Sequence, residues 1–410
     1  MDELRNRQTV ERVLDIFPWY GRLLADNGID RHAIRYINEL PLITSEILEQ
    51  YYYGMEQPFG HQAGVTSYRT SGTSSLLRKT IYYSAEDEEQ YIRIKTELFR
   101  TILNASNCFT ALSDMGTGHA ASTALAIFKN IGIHAESIDY RQPIERHLDW
   151  LKARKPHILY TMPSLLDRLL SVCTDDPSSY GIRRVILVGE IASPAWLQSV
   201  AEQLRLEMRD ITDTYGSIEI GTIAYYSHEH ERYLFTEEII AEGVPAEAIS
   251  SDAEPLRAGE SVLVLTSMVR GLFPALRYVT YDVVRDLRPI LVNGRWRQSF
   301  QAIVRRIGSE LKHGEKISVY DIENVVYRHL KDARVRIRIH ANKLTVHADS
   351  KDKNPEIYKR IESEMLDRIP EIGIMIRGGM LEAMRVIPSD ITFTETMLKH
   401  KKIYYGEADG

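Results

Sequence analysis

Three patterns predict an α/β fold, with a large N-terminal domain of doubly wound mixed sheets and a small C-terminal α+β domain. Apolar strand-like runs alternate with helical stretches between residues 108 and 219, as they do where helices cover both faces of a sheet. Arg184-Val-Ile-Leu-Val188 is an unbroken apolar run, suited to a strand buried on both faces, and it ends at Gly189-Glu190. Ala333–His340 and Lys343–His347 alternate with period two around Ala341-Asn342, a hairpin pattern, and a charged amphipathic helix follows at 355–368. The boundary is expected near Arg305, giving domains of residues 1–304 and 305–410.

Taken in order, residues 2–25 read as a helix interrupted at Pro18, with Val10, Val13, Leu14, Phe17 and Leu23 spaced for one face. Thr44-Ser45-Glu46-Ile47 starts a second helix with a hydroxyl cap. Ser84 caps a third, whose first turn carries Glu86 and Asp87 to complement the helix dipole. Phe109–Ser113 reads as a strand, and a helix starts at Pro194. Met208–Asp213, Ser261–Leu265 and Ile372–Arg377 read as further strands.

Composition excludes several function classes. The 410 residues carry a net charge of −6, so no global basic surface favours nucleic acid. Two cysteines, Cys108 and Cys173, stand far apart, which argues against a disulfide framework and fits a reducing cytoplasm. The first residues are charged and lack the apolar segment of a signal peptide, and no long apolar run suggests a membrane span. His228-Glu229-His230 reads as polar surface, with no zinc expected.

The densest chemical signal is Thr70-Ser71-Gly72-Thr73-Ser74-Ser75, followed by Arg78-Lys79. Hydroxyls and backbone N–H groups here can wrap an anion, and Gly72 permits close approach. The same composition also fits a solvated Ser/Thr turn. It is not a Walker loop, because no Gly precedes Lys79 in the required place. A second signal, Gly116-x-Gly118-x-x-Ala121 after a strand with Asp139 further on, meets the local description of a dinucleotide fingerprint. The competing reading makes Gly116, Gly118 and His119 a turn lining a substrate pocket.

The stretch from Thr70 to Lys79 resembles the TSGTTGxPK phosphate loop of adenylate-forming enzymes, the acyl-CoA synthetase and adenylation-domain superfamily. Ser75 and Leu77 depart from its second Gly and its Pro. Tyr215-Gly216-Ser217-Ile218-Glu219 resembles the family's YGxTE motif, with Ile218 in place of Thr. Arg277-Tyr278-Val-Thr280-Tyr281-Asp282 resembles RYRTGD, with Tyr281 in place of Gly. Arg306 and Lys312 to Glu323 resemble the hinge, although Gly308 and Ser309 replace its carboxylates. Lys399 in the tail best matches the terminal lysine, with Lys401 and Lys402 as neighbours. The entry segment and the stretch from Met115 onward are similar to the phenylacetate-CoA ligase branch.

The resemblance implies an acid–thiol ligase. A carboxylic acid, expected to be aryl, would be activated by MgATP and passed to coenzyme A or the phosphopantetheine of a carrier protein. It implies catalytic roles for Lys399 and Glu219, the latter also holding Mg²⁺. It implies nucleotide binding by Thr70, Ser71, Gly72, Thr73, Ser74, Gly189, Glu190, Tyr215, Gly216, Asp282 and Arg306, with the small C-terminal domain as a mobile lid. Gly116, Gly118 and His119 would line the acid site. A homodimer is compatible with it. The alternatives are a nicotinamide-dependent oxidoreductase built on Gly116, Gly118 and Asp139, and a diverged relative that binds nucleotide without turnover.

Overall fold

The computed structural model describes every residue except 1, 70–78, 105, 116–118, 140, 191, 251, 252, 254, 308–318, 341, 342, 378, 380, 390–402 and 406–410. The chain divides into two compact units. The first takes Met1–Phe109, Thr117–Ala135 and Thr214–Ile303; the second takes Thr110–Gly116, Glu136–Asp213 and Val304–Gly410.

In the first unit, Pro18 ends one helix and starts another. Helices Asp2–Ile16 and Pro18–Asp26 meet at Phe17, whose non-helical backbone makes it the N-cap residue of the second. Phe17 is buried edge-on against Tyr52 and Phe59. Thr44 caps helix Ser45–Leu48, as its hydroxyl predicted, and the chain continues through a π-helical turn at Glu49–Tyr53. Strands Thr66–Arg69 and Thr80–Tyr83 pair antiparallel with Arg69 opposite Thr80. The hydroxyl-rich residues 70–75 fall between these strands in the sequence and lie outside the described residues.

Helix Ala85–Ile102 starts at a capping box in which Ser84 Oγ accepts from Asp87 N and the Asp87 carboxylate accepts from Ser84 N. Helix His119–Asn130 packs along it. Strands Ile239–Val244, Glu260–Ser267, Tyr278–Arg285 and Ala302–Arg306 form one sheet in that order. Strands Arg288–Val292, Arg295–Phe300, Arg232–Phe235, Gly221–Ser227 and Ile211–Ser217 lie side by side in another, each antiparallel to the next.

The second unit holds the parallel strands Thr110–Met115, Ile158–Thr161 and Arg184–Val188, flanked by His134–Asp139. Helices Ile144–Arg154, Pro163–Val172 and Pro194–Leu204 accompany them. This is the strand–helix alternation that residues 108–219 predicted. A fully buried pair links strand to helix: His147 Nδ1 lies 2.9 Å from both Asp114 carboxylate oxygens, and Nε2 lies 3.2 Å from Gln142 O. Burial raises the Asp114 carboxyl, and the hydrogen bond and charge of His147 oppose the shift.

The chain after Val304 builds its own sheet. Arg334–His340 and Lys343–Asp349 pair antiparallel, as their alternation predicted; residues 341 and 342 lie outside the described residues. Ala383–Pro388 joins one edge and Ile403–Tyr405 the other, both parallel to their neighbours. Two expectations fail locally. Met208–Asp210 is a 3-10 turn before strand Ile211–Ser217. Residues 370–377 form helix Pro370–Arg377 and not a strand. The alternation Ile372-Gly373-Ile374 suggested period two, but the buried residues are Ile369, Ile372 and Met375, three apart, and Pro370 pre-sets a helical start.

Candidate active site

Two of the expected nucleotide motifs, those of Tyr215 and Asp282, meet in the first unit. Strand Tyr278–Arg285 is irregular where it pairs with Glu260–Ser267. Val262 faces Val283 and Val264 faces Val279, so Thr280, Tyr281 and Asp282 stand against Leu263 alone. Thr280 Oγ1 donates to Leu263 O at 2.8 Å and accepts from Asp282 N at 3.1 Å. Asp282 then receives the Tyr215 hydroxyl at 2.6 Å. Its other carboxylate oxygen has no hydrogen-bond partner among the described residues. Two residues singled out from motifs 67 positions apart are thus in direct contact.

Tyr215 belongs to strand Ile211–Ser217, which is bulged against Gly221–Ser227 at Tyr215/Gly216. A side chain at Gly216 would put Cβ 2.7 Å from Gly221 O, so only glycine fits. The turn that follows carries Glu219. Its backbone is held from outside: the Tyr83 hydroxyl donates to Ile218 O at 2.7 Å and Arg270 Nε to Glu219 O at 3.0 Å. Ile218, where the motif resemblance expects Thr, packs its side chain against the apolar core of this unit.

Arg270 is buried and central. It also donates to Tyr82 O at 2.6 Å, pairs with Asp87 at 2.6 Å, and lies over the Tyr83 ring at 3.7 Å. Asp87 in turn accepts from Gly271 N and Leu272 N. Burial alone would raise the Asp87 carboxyl; the Arg270 charge and the backbone donors outweigh it and hold the group below its ordinary value. Sequence reasoning missed Arg270, Asp87 and Tyr83 as supports of this turn, because the contacts that tie them to it join residues distant in the chain.

His119 opens its helix in the middle of a polar aromatic cluster. Tyr68, Tyr83 and Tyr91 surround its ring at centroid distances of 4.8, 4.1 and 3.8 Å. Glu88 lies 2.6 Å from His119 Nε2 and accepts the Tyr68 hydroxyl at 2.7 Å. Burial lowers the imidazole, and the neighbouring carboxylate does not restore it. Burial alone would raise the Glu88 carboxyl; the His119 and Tyr68 hydrogen bonds, together with the charges of His119 and Arg270, outweigh it and hold the group below its ordinary value. Tyr68 is next but one before the hydroxyl-rich loop, so the cluster ties the acid-site candidate His119 to the base of the phosphate-loop candidate.

The remaining candidates fall elsewhere. Gly189 ends strand Arg184–Val188 at a φ of +86°, a conformation that favours glycine. Glu190 accepts the backbone N–H and hydroxyl of Ser164 at 2.7 and 2.8 Å, where a carboxylate complements the start of helix Pro163–Val172. Arg306 is exposed at the end of strand Ala302–Arg306. Thr70, Ser71, Gly72, Thr73, Ser74, Gly116, Gly118, Lys399, Lys401, Lys402 and the hinge residues Gly308, Ser309, Lys312 and Gly314 lie outside the described residues. Asp139, the acid of the oxidoreductase alternative, is chelated by Arg141 two residues on and held down to about 2.

Among the described residues no three His, Cys, Asp or Glu side chains cluster as a metal site. Among the described residues no helix is long and apolar enough to cross a membrane.

Residues 312–391 match the family described as the fumarate–diaminopropanoate ligase C-terminal domain. The chain is similar to 2-hydroxyisobutyryl-CoA ligase in its postadenylation state, with a TM-score of 0.76 at 14% identity over 98% of this chain and 88% of that one. It is also similar to an anthranilate CoA ligase in complex with anthranoyl-AMP, with a TM-score of 0.53 at 14% identity over 83% and 67% of the respective chains. These likenesses show a common fold. The fumarate–(S)-2,3-diaminopropanoate ligase of Enterobacter agglomerans is 36% identical over 377 residues, 92% of this chain and 93% of that protein. The chain therefore belongs to the fumarate–diaminopropanoate ligase family of adenylate-forming enzymes.

Proposed function

We propose that this adenylate-forming ligase activates a small dicarboxylic acid with MgATP and passes the acyl group to an amine of a small diamino acid, forming an amide. The observation that carries this reading is the 36% identity, across nearly the whole chain, to a ligase named for fumarate and diaminopropanoate. The aryl acid and the thiol acceptor that the sequence resemblance implied have weaker support, since the coenzyme A ligases share 14% identity.

In the first step a carboxylate oxygen attacks the α-phosphorus and the bond to the β-phosphate bridge breaks, releasing pyrophosphate. In the second the amine nitrogen attacks the acyl carbon, the bond to AMP breaks, AMP leaves with the electron pair, and the amine proton passes to solvent. Neither step needs a protein nucleophile. The chain's contribution is positioning and charge compensation. Asp282 accepts the ribose hydroxyls, Tyr215 faces the base and braces Asp282, Glu219 holds the metal, and the loop of Thr70, Ser71, Gly72, Thr73 and Ser74 wraps the phosphates. Gly189, Glu190 and Arg306 are further candidates for binding the nucleotide, and Gly116, Gly118 and His119 for binding the acid. Lys399 acts from a lid of residues 305–410 during adenylation.

Acid-dependent pyrophosphate exchange into ATP, followed by mass spectrometry with each acceptor, tests this. Exchange with fumarate and an amide product with (S)-2,3-diaminopropanoate are expected. Exchange only with aryl acids, and product only with coenzyme A, would return the acid–thiol reading.

A further inference from the structure

The strand that carries Asp282 is fastened to the entry segment of the same unit by three successive rungs. Ile43 N donates to Arg277 O at 3.0 Å, and Val279 N donates to Ile43 O at 3.0 Å. At the next position the strand bulges and no backbone carbonyl continues the ladder. The Tyr281 hydroxyl takes its place: Ser45 N donates to Tyr281 Oη at 2.9 Å, and Ser45 Oγ lies 2.9 Å from the same atom.

Tyr281 holds its backbone at a φ of +63°, the left-handed region that disfavours a bulky aromatic residue. It stands where the motif resemblance expects glycine, which would adopt that conformation freely. A glycine supplies no hydroxyl. The chain thus carries a strained residue at the crest of the bulge, and that residue's polar tip is anchored at the start of helix Ser45–Leu48. Strain at such a position persists only where the surroundings over-determine it, and it clusters at functional sites.

We infer that Tyr281 is a positioning residue: by bonding Ser45 it fixes the bulge that turns Asp282 toward the ribose of the nucleotide. The inference rests on the reading of Asp282 as the ribose clamp. The side chains of Tyr281 and Asp282 serve opposite ends of one device, since Tyr281 bonds the entry segment while Asp282 meets Tyr215. The entry segment, which carries no nucleotide motif, becomes part of the site's scaffold.

The test compares ATP with 2′-deoxy-ATP and 3′-deoxy-ATP in pyrophosphate exchange by the intact protein. Asp282→Ala should abolish the preference for the full ribose. Tyr281→Phe deletes only the anchoring hydroxyl. It should raise KM for ATP about three- to tenfold, the worth of one hydrogen bond, with a smaller change for the deoxy nucleotides and in kcat. Tyr281→Gly removes the strain as well, so its thermal midpoint should hold or rise while the ribose preference narrows as in Tyr281→Phe. Equal loss for all three nucleotides with a lowered thermal midpoint would mean general loosening and would overturn the inference. So would full retention of the preference in both Tyr281 variants while Asp282→Ala loses it. If Asp282→Ala itself keeps the preference, the ribose-clamp reading fails and the inference falls with it.

Discussion

Glu219 shows how a short polar turn is made rigid without using its own side chain. Tyr83 and Arg270 grip the carbonyls of Ile218 and Glu219, so the turn is held without the Glu219 carboxylate, the proposed holder of the metal. Glu219→Gln keeps the shape and both backbone contacts while removing the charge. We expect the adenylation rate to fall about 10²–10³-fold and the Mg²⁺ requirement to rise, with an unchanged thermal midpoint. Pyrophosphate exchange across a Mg²⁺ titration measures both, and a wild-type response would remove Glu219 from the metal role. Tyr215, Gly216 and Asp282 could be singled out in the sequence because each sits in a short motif, and the structure adds the contact between Tyr215 and Asp282. Arg270 was not, because nothing beside it in the chain marks it. Its meaning comes from Asp87 and Tyr82, more than 180 residues earlier.

Helix Ala85–Ile102 starts on a residue with two duties. Asp87 closes the capping box with Ser84 and also neutralises Arg270, so one carboxylate fixes both a helix end and the support of the Glu219 turn. Replacing it with Asn strands a buried guanidinium, and we expect Asp87→Asn to cost about 3–5 kcal/mol at neutral pH by urea unfolding. The sign of the pH dependence follows from the lowered folded value. The unfolded carboxyl titrates near its ordinary value of about 3.9, so the stabilisation is fully present above that pH. It is lost as pH falls through the folded value. Wild-type stability should therefore drop more steeply below about pH 4 than that of Asp87→Asn, and parallel curves would exclude the role. Ser84 and Thr44 were readable as caps because a hydroxyl before a periodic stretch is itself the signal. Helix Pro370–Arg377 was misread because three apolar residues at alternating positions satisfy both periods over so short a span. The edge strand Ala383–Pro388 was missed, since its pairing with Lys343–Asp349 has no local trace.

At the scale of the molecule, the sequence identified the alternating parallel core and the separate small sheet near the C-terminus. It placed one boundary at residue 305, whereas contacts divide the chain into interleaved segments, a property that only three-dimensional neighbours reveal. The proposed lid predicts a separation of half-reactions. Lys399→Ala should slow adenylation strongly, because a point charge near the developing phosphate charge is lost. It should leave acyl transfer from a supplied adenylate nearly intact. Loss in Lys401→Ala or Lys402→Ala instead would move the tail alignment, and equal loss of both steps would indicate a docking defect.

The interleaving also bears on how the protein is made. The two units alternate along the chain in six segments. On a ribosome that releases the N-terminus first, the strand Thr110–Met115 emerges long before the residues after Val304 that complete its unit. The first unit waits for its own last strands until Ile303 has left the exit tunnel. Neither half can be finished and set aside while the other is synthesised. We expect refolding of such a chain to gain more from a holding chaperone than refolding of a chain with domains in series, and refolding yields with and without one measure it.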